Sequence, residues 1–391
     1  MSRKFLLCYF ETTRRCNLDC PHCMTRADRP QTEPELTTEE AKRLVLDEVK
    51  KACPNGAVAF SGGEFLLRKD ALELLSYNAK LGLYSFVNTN GKFLNRDLLK
   101  AIKKATNNKV TLGLSLDSID DGIHRQTRSD KPSETLELIK LCDREKVGYF
   151  FLVTVTKANL SGLAETMDFL KSRRIPIIRS PFVPRGAGKS VNHLAFDRND
   201  MAKIIHPALK DNYLGYVSFT PFFAAPEFMV KTWRELDIPI ANLGCQAGRG
   251  FIGISAEGSV APCVHLLDSA IDCGNVRRKP LSELLRTDPI LSSLQDGSRL
   301  KGKCGRCRYK HTCGGCRALA YYGTGDYLAE DPTCFFEPQD ESTVSEYEET
   351  YNQNVSKFLD FVIYHKPWNQ IFRPLSVWSR LKILSKIIAG K

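Results

Sequence analysis

The chain has 391 residues, of which 42% are hydrophobic and 26% are charged, as is usual for a globular protein of two or three domains. Its 56 basic and 45 acidic residues give a net charge of +11, which by itself does not indicate a class of binding partner. We expect no nucleic-acid partner. Because there is no apolar run of membrane-spanning length and no signal peptide, we expect a cytoplasmic protein whose 14 cysteines bind metal rather than form disulfides.

The first half of the chain alternates between strand and helix patterns. Apolar segments predict six strands, at residues 4–13, 57–64, 84–91, 109–118, 148–157 and 175–184. Helical periodicity predicts the intervening helices at residues 35–52, 70–81, 96–105, 133–145 and 161–174. Thr37 and Glu40 have the spacing of a capping box at the start of the first helix. Six such repeats predict an α/β fold with a parallel sheet, and their spacing alone does not distinguish a barrel from an open sheet.

Polar motifs follow successive predicted strands. They are the cysteines at 16, 20 and 23, the motif SGGE at 61–64, the motif NTNG at 88–91, Ser115 with Asp117, and Thr154 with Thr156. Each motif alone is typical of a turn or a helix cap. Because parallel α/β folds bind ligands at the carboxyl ends of their strands, five such motifs together predict a ligand site at this edge.

Cys16, Cys20 and Cys23 supply three ligands, one fewer than a closed tetrahedral metal site requires. A zinc site with an open position usually includes histidine, but His22 lies between two of the cysteines, and we do not expect it to coordinate. A [4Fe–4S] cluster normally takes four thiolates, so three would leave one iron open to another ligand. The pattern favours an iron–sulfur cluster over zinc.

This C-x3-C-x2-C pattern, followed by GGE at 62–64, resembles the radical S-adenosylmethionine superfamily over roughly residues 1–190. The resemblance implies a partial (β/α)6 TIM-type barrel in which Cys16, Cys20 and Cys23 hold a [4Fe–4S] cluster and S-adenosylmethionine binds the open iron. It also implies cleavage of S-adenosylmethionine to a 5′-deoxyadenosyl radical, with a reductant such as flavodoxin or ferredoxin as a partner. The cofactor-binding residues that it implies are Gly62, Gly63, Glu64, which would accept from the ammonium group, Asn90, Ser115 and Arg128.

Seven further cysteines form a second pattern, C-x2-C-x5-C-x2-C with more distant cysteines on either side. It resembles the SPASM extension of the same superfamily, a small cysteine-rich α+β domain with one or two auxiliary [4Fe–4S] clusters. By the family pattern, the distal cluster is ligated by Cys304, Cys307, Cys313 and Cys334. The nearer cluster is ligated by Cys245, Cys263 and Cys316, and its fourth position is open or filled by another residue such as Cys273. Structural zinc is the alternative, but the thiolate-only set favours iron–sulfur.

These resemblances imply a domain order along the chain. We predict a radical S-adenosylmethionine barrel at 1–215, a bridging segment at 216–240, a SPASM domain at 241–345 and a helical, amphipathic, basic tail at 346–391. Gly258 and Cys263 are expected to close a β-hairpin. Apolar and basic residues at helical spacing near the end of the tail suggest peripheral contact with an anionic membrane. The alternative is a helix that packs on the barrel or on a partner.

The resemblance implies an oxidoreductase that abstracts a substrate hydrogen and uses its auxiliary clusters for electron transfer or substrate binding. The substrate is a peptide or protein side chain or a tetrapyrrole. Haem-modifying relatives carry tails that resemble residues 304–334 of this chain. The alternatives are a small carbohydrate or alcohol, or a membrane-associated lipid. A non-catalytic zinc or iron–sulfur binding protein is the competing class, and GGE beside three cysteines disfavours it.

Overall fold

The structure is a computed structural model that describes residues 6–26, 33–173, 175, 177–201, 203, 244–311 and 313–338. The chain divides into two compact units. The first is Met1–Ala195 with Gln246–Asp296, and the second is Phe196–Cys245 with Gly297–Lys391. The predicted boundaries at 215, 240 and 345, the bridging segment and the tail at 346–391 lie outside the described residues and stay predictions.

All six predicted strands are present in the first unit. Their bounds are β1 Leu7–Glu11, β2 Ala57–Ser61, β3 Tyr84–Thr89, β4 Val110–Ser115, β5 Gly148–Val155 and β6 Ile177–Pro181. Each strand pairs in parallel with the next one along the chain. This connectivity confirms the parallel α/β fold.

Two later strands extend this sheet at its β1 edge. They are β7 Phe251–Ile254 and β8 Val260–Ala261. Strand β7 runs parallel to β1, and β8 returns antiparallel to β7. The strand order is β6-β5-β4-β3-β2-β1-β7-β8, so among the described strands the sheet is an open, partial barrel. The turn between β7 and β8 contains Gly258 at a φ of +89°, and this pairing confirms the hairpin.

The five predicted helices also form, the first of them as three consecutive segments, and a short helix at Asp121–His124 is additional. Those of the barrel are α1 Thr38–Glu40, a π-helical segment Ala41–Leu46, α2 Asp47–Ala52, α3 Ala71–Lys80, α4 Arg96–Ala105, α5 Asp121–His124, α6 Pro132–Glu145 and α7 Leu160–Ser172. The capping box before α1 is confirmed, since the Thr37 hydroxyl accepts from the Glu40 N–H at 3.2 Å and the Glu40 carboxylate accepts from the Thr37 N–H at 2.9 Å.

Further short helices follow β8. The first unit contains α8 Leu281–Thr287 and α9 Pro289–Ser293, and the second contains α10 Gly302–Arg306 and α11 Arg317–Thr324. Among the described residues, none of the helices has the length and apolar character needed to cross a membrane. The core of the barrel lies between the sheet and its helices, where Val58, Phe60, Leu112 and Phe151 are fully buried.

Candidate active site

The cysteine loop, residues 16–23, follows β1 and therefore starts from the carboxyl edge of the sheet. Cys16 and Cys23 line a cavity of about 400 Å³ together with Gly63 of the second predicted motif. The Leu18 N–H donates to Cys16 Sγ at 3.4 Å, and the Arg26 N–H donates to Cys23 Sγ at 3.3 Å. Because such hydrogen bonds stabilise thiolates, this donor set fits an iron–sulfur cluster.

The glycines of the GGE motif dock directly on the chain that leads into the cysteine loop. The Gly63 N–H donates to the Thr13 carbonyl at 2.7 Å, and the Glu64 N–H donates to the Arg15 carbonyl at 2.8 Å. A Cβ atom on Gly63 would overlap the Arg15 carbonyl oxygen. Glycine is therefore required here so that the two loops can approach each other.

Glu64 is fully buried at the end of β2, and protein donors hold its carboxylate. It accepts from the Leu66 N–H at 3.0 Å, from the Thr89 hydroxyl at 3.0 Å and from the Asn90 N–H at 2.9 Å. Burial raises the pKa of Glu64, and these donors oppose that effect. In the structure Glu64 ties the ends of β2 and β3 together, and its contact with an ammonium group stays a prediction.

Two other predicted cofactor contacts lie at the same edge. The Asn90 side-chain amide donates to Asn17 Oδ1 at 2.8 Å, and its nitrogen lies 3.9 Å from Cys16 Sγ. Asn90 is therefore in direct contact with the cysteine loop. Ser115 is the last residue of β4, where it pairs with Leu152 of β5 and is half-buried.

Arg128, the sixth predicted contact, is anchored by Asp117. The Arg128 Nε donates to Asp117 Oδ2 at 2.9 Å, and the Thr154 N–H donates to Asp117 Oδ1 at 2.9 Å. His22 Nε2 lies 3.2 Å from the same carboxylate. Burial alone would raise the pKa of Asp117, but Arg128 and His22 outweigh it and hold the pKa well below its usual range.

The role of Asp117 in holding His22 and Arg128 was not part of the sequence prediction. The sequence did place Asp117 among the polar residues after β4, and that position was the available signal. Nothing in the local sequence indicates that His22, which lies in a different loop, meets this carboxylate. The contact joins residues 95 positions apart in the chain (117 minus 22).

The four cysteines predicted for the distal cluster all belong to the second unit. Burial raises the pKa of Cys313 well above its usual range, and the neighbouring thiols of Cys334, Cys304 and Cys307 act in the same direction. The Asp331 N–H donates to Cys304 Sγ at 3.4 Å, and an equivalent N–H bond reaches Cys307 Sγ at 3.4 Å. Sulfurs that influence one another electrostatically and accept N–H bonds are compatible with a [4Fe–4S] cluster, and their shared ligation stays a prediction.

The cysteines predicted for the nearer cluster are divided between the two units, and their shared ligation stays a prediction. Cys263 belongs to the first unit, and Cys245 and Cys316 belong to the second. Cys316 caps α11, where its Sγ accepts from the Leu319 N–H at 3.5 Å.

Cys273, the candidate for the open position of the nearer cluster, is buried in the first unit. Burial raises the pKa of Cys273, and the nearby Asp288 carboxylate acts in the same direction. Asp288 also caps α9. The role of Cys273 as a cluster ligand stays a prediction.

The sequence is similar to known protein families over both units. The family model described as the radical SAM superfamily matches residues 10–170, and the model of the SPASM iron–sulfur cluster-binding domain matches residues 245–317. AdoMet-dependent heme synthase of Methanosarcina barkeri is 30% identical over 343 residues, covering 84% of this chain and 96% of the relative. The chain belongs to the radical SAM superfamily. Pre-heme d1 synthase of Dinoroseobacter shibae is 28% identical, covering 85% of this radical SAM protein and 87% of the relative.

The fold of the radical SAM protein also resembles a solved structure, native anSMEcpe with bound AdoMet and Cp18Cys peptide. The TM-score is 0.67 at 18% identity, and the match covers 90% of this chain and 98% of that one. The radical SAM and SPASM domains imply [4Fe–4S] clusters, and the fold neighbour binds AdoMet. These findings confirm the predicted family, fold class and cofactors.

Proposed function

We propose that this radical SAM enzyme is an oxidoreductase that acts on a tetrapyrrole. The observation that carries the proposal is the similarity to AdoMet-dependent heme synthase, which extends over 96% of the relative and both domains of this chain. Pre-heme d1 synthase, also a haem-related enzyme by name, is similar over 87% of its length. The peptide-bound fold neighbour shares 18% identity and therefore supports the fold alone.

A cluster and S-adenosylmethionine, when bound, supply a 5′-deoxyadenosyl radical that removes hydrogen from a substrate C–H bond. Cys16, Cys20 and Cys23 would hold the cluster, and main-chain N–H groups after Cys16 and Cys23 stabilise two of the three thiolates. The glycine contact at Gly63 fixes the cysteine loop on β2. Asp117 fixes the same loop through His22. The rigid edge that results can position a cofactor against its substrate.

The auxiliary clusters would provide a route for electrons. Cys304, Cys307, Cys313 and Cys334 would hold a cluster that accepts an electron released when the substrate is oxidised. The nearer cluster, held by Cys245, Cys263 and Cys316, would contact the substrate or relay the electron. Flavodoxin or ferredoxin would supply the electron that starts the reaction. The proposed membrane contact of the tail concerns residues outside the described part of the chain.

The test is substrate-dependent turnover under anaerobic conditions. The enzyme is incubated with dithionite, S-adenosylmethionine and an iron porphyrin that carries propionate side chains. We expect the porphyrin to increase the formation of 5′-deoxyadenosine and to change in mass, as followed by liquid chromatography and mass spectrometry. The Cys16→Ala, Cys20→Ala, Cys23→Ala variant is the control. If porphyrins with different side chains all leave 5′-deoxyadenosine formation unchanged while a precursor peptide increases it, the substrate is a peptide.

A further inference from the structure

Arg317 directly follows Cys316, and its guanidinium group is buried beside a predicted cluster ligand. The residue is 2% exposed. Its Nη1 donates to the carbonyls of Tyr327 at 2.9 Å and Ala329 at 2.7 Å. Its Nη2 lies 3.6 Å from Cys304 Sγ, within hydrogen-bonding distance of sulfur. The side chain therefore brings a buried positive charge and an N–H donor to one thiolate of the distal cluster.

The surrounding backbone is shaped for this contact. Gly315 has a φ of +61°, and a Cβ atom there would lie 2.7 Å from Arg317 Nη2 and 2.9 Å from Cys304 Sγ. A larger residue would therefore enter the space between the guanidinium and the sulfur. The two carbonyls that bind Nη1 both come from the segment before Asp331, which orients the planar guanidinium group.

Asp331 is an acidic residue beside this arrangement, and protein donors bind its carboxylate. It is fully buried and accepts from the Cys316 N–H at 2.6 Å and from the Thr333 hydroxyl at 2.7 Å. Its own N–H donates to Cys304 Sγ at 3.4 Å. Cys304 thus receives two donors, one from the backbone and one from a cation.

We propose that Arg317 raises the reduction potential of the distal auxiliary cluster and so makes this cluster an effective electron acceptor. Reduction by one electron adds one negative charge to the cluster. A buried cation and N–H bonds to a ligating sulfur stabilise that charge, and both are established determinants of cluster potential. The proposal rests on the proposed ligation by Cys304 and does not depend on a tetrapyrrole substrate.

The test is a redox titration of the anaerobically purified holoenzyme, monitored by electron paramagnetic resonance. Three variants of the same residue separate charge from hydrogen bonding: Arg317→Met removes both, Arg317→Gln keeps a donor, and Arg317→Lys keeps the charge. At a fixed applied potential, we expect Arg317→Met to lower the reduced-to-oxidised ratio of one cluster at least tenfold, which is 59 mV for one electron. The ratios of the other clusters should not change, and Arg317→Lys should recover part of the loss.

Lys301→Met is the matched control, because it removes one positive charge three residues before Cys304. The Lys301 side chain is 62% exposed and pairs with Asp326, so solvent and salt screen its charge. We expect this variant to leave the potentials unchanged. An equal shift in Lys301→Met, or unchanged potentials in an iron-replete Arg317 variant, would overturn the proposal.

Iron analysis keeps the proposal testable if a variant fails to assemble. If Arg317→Met loses iron, the comparison is made with Arg317→Gln and Arg317→Lys at full iron content. Loss of iron in all three variants would assign Arg317 to building the site and would overturn a tuning role. Cys304→Ser identifies the distal cluster, since its spectrum should change in the same signal that Arg317 shifts. Unchanged spectra in Cys304→Ser would overturn the ligand set itself and leave the assay for the substrate class unaffected.

Discussion

His22 Nε2 lies 3.2 Å from Asp117 Oδ2, which joins the cysteine loop to the end of β4 through a buried pair. The side chains are 6% and 0% exposed. The same carboxylate accepts from Arg128 Nε at 2.9 Å. The Asp117 carboxylate therefore contacts two residues of the candidate site. One is His22, which lies between two predicted cluster ligands, and the other is Arg128, a predicted cofactor contact.

Replacement of Asp117 by asparagine should destabilise the protein strongly. The variant removes the carboxylate that accepts from the largely buried Arg128 side chain, and breaking a buried pair in this way costs about 3–5 kcal/mol. Urea unfolding under anaerobic conditions measures the loss. Asp121→Asn is the control, because Asp121 pairs with Arg125 at 2.8 Å with both side chains about half exposed. Exposed pairs contribute about 0–1 kcal/mol. Similar losses in the two variants would contradict a special role for Asp117.

Gly63→Ala should prevent the cysteine loop from holding its cluster. The added methyl group would overlap the Arg15 carbonyl and push apart the segments that position Cys16. We expect the iron content to fall by about four atoms per chain, the content of one cube. Gly122→Ala is the control, since a Cβ there would lie 3.3 Å from an Asp120 carboxylate oxygen and would have no backbone atom outside its own helix within 4 Å. A Gly63→Ala protein with full iron would show that the close approach is unimportant.

Cys273→Ala should keep its full complement of iron. The Cys273 thiol is buried in the first unit, where burial and the nearby Asp288 carboxylate raise its pKa and so disfavour the thiolate that a cluster ligand requires. We expect a loss of stability of about 0.5–1.5 kcal/mol from the deletion of one buried side-chain atom. Iron analysis and urea unfolding check both parts. Loss of about four iron atoms would instead identify Cys273 as a ligand of the nearer cluster.

Local patterns were sufficient to predict the elements of the barrel. The six strands and the capping box at Thr37 and Glu40 depend on side-chain periodicity and on contacts within one turn, both of which are visible in a short stretch of sequence. The pairing of β7 with β1 was not predicted, because it joins Leu7 to Phe251 across most of the chain. No local signal specifies such a non-local partner.

The candidate site likewise combines features that local sequence predicts with contacts that only the folded chain shows. The positions of the three cysteines after β1 and of Gly63 after β2 could be predicted because they follow from the strand pattern, and the cofactor roles that the resemblance implies for them stay predictions. The partners of Asp117, Glu64 and Arg317 depend on how separate loops meet, and those contacts appear only in the folded chain. The sequence predicted Glu64 as a cofactor contact, while the structure adds three protein donors that hold it in place.

The central claim is that Cys16, Cys20 and Cys23 hold the cluster that activates S-adenosylmethionine. Its most direct test measures 5′-deoxyadenosine after the anaerobic protein is mixed with dithionite and S-adenosylmethionine, alongside total iron. We predict product from the wild-type protein and none from the Cys16→Ala, Cys20→Ala, Cys23→Ala variant, which should lose about four iron atoms and keep the iron of its auxiliary clusters. Equal product from both proteins, or a wild-type protein that contains zinc and no iron, would contradict the claim.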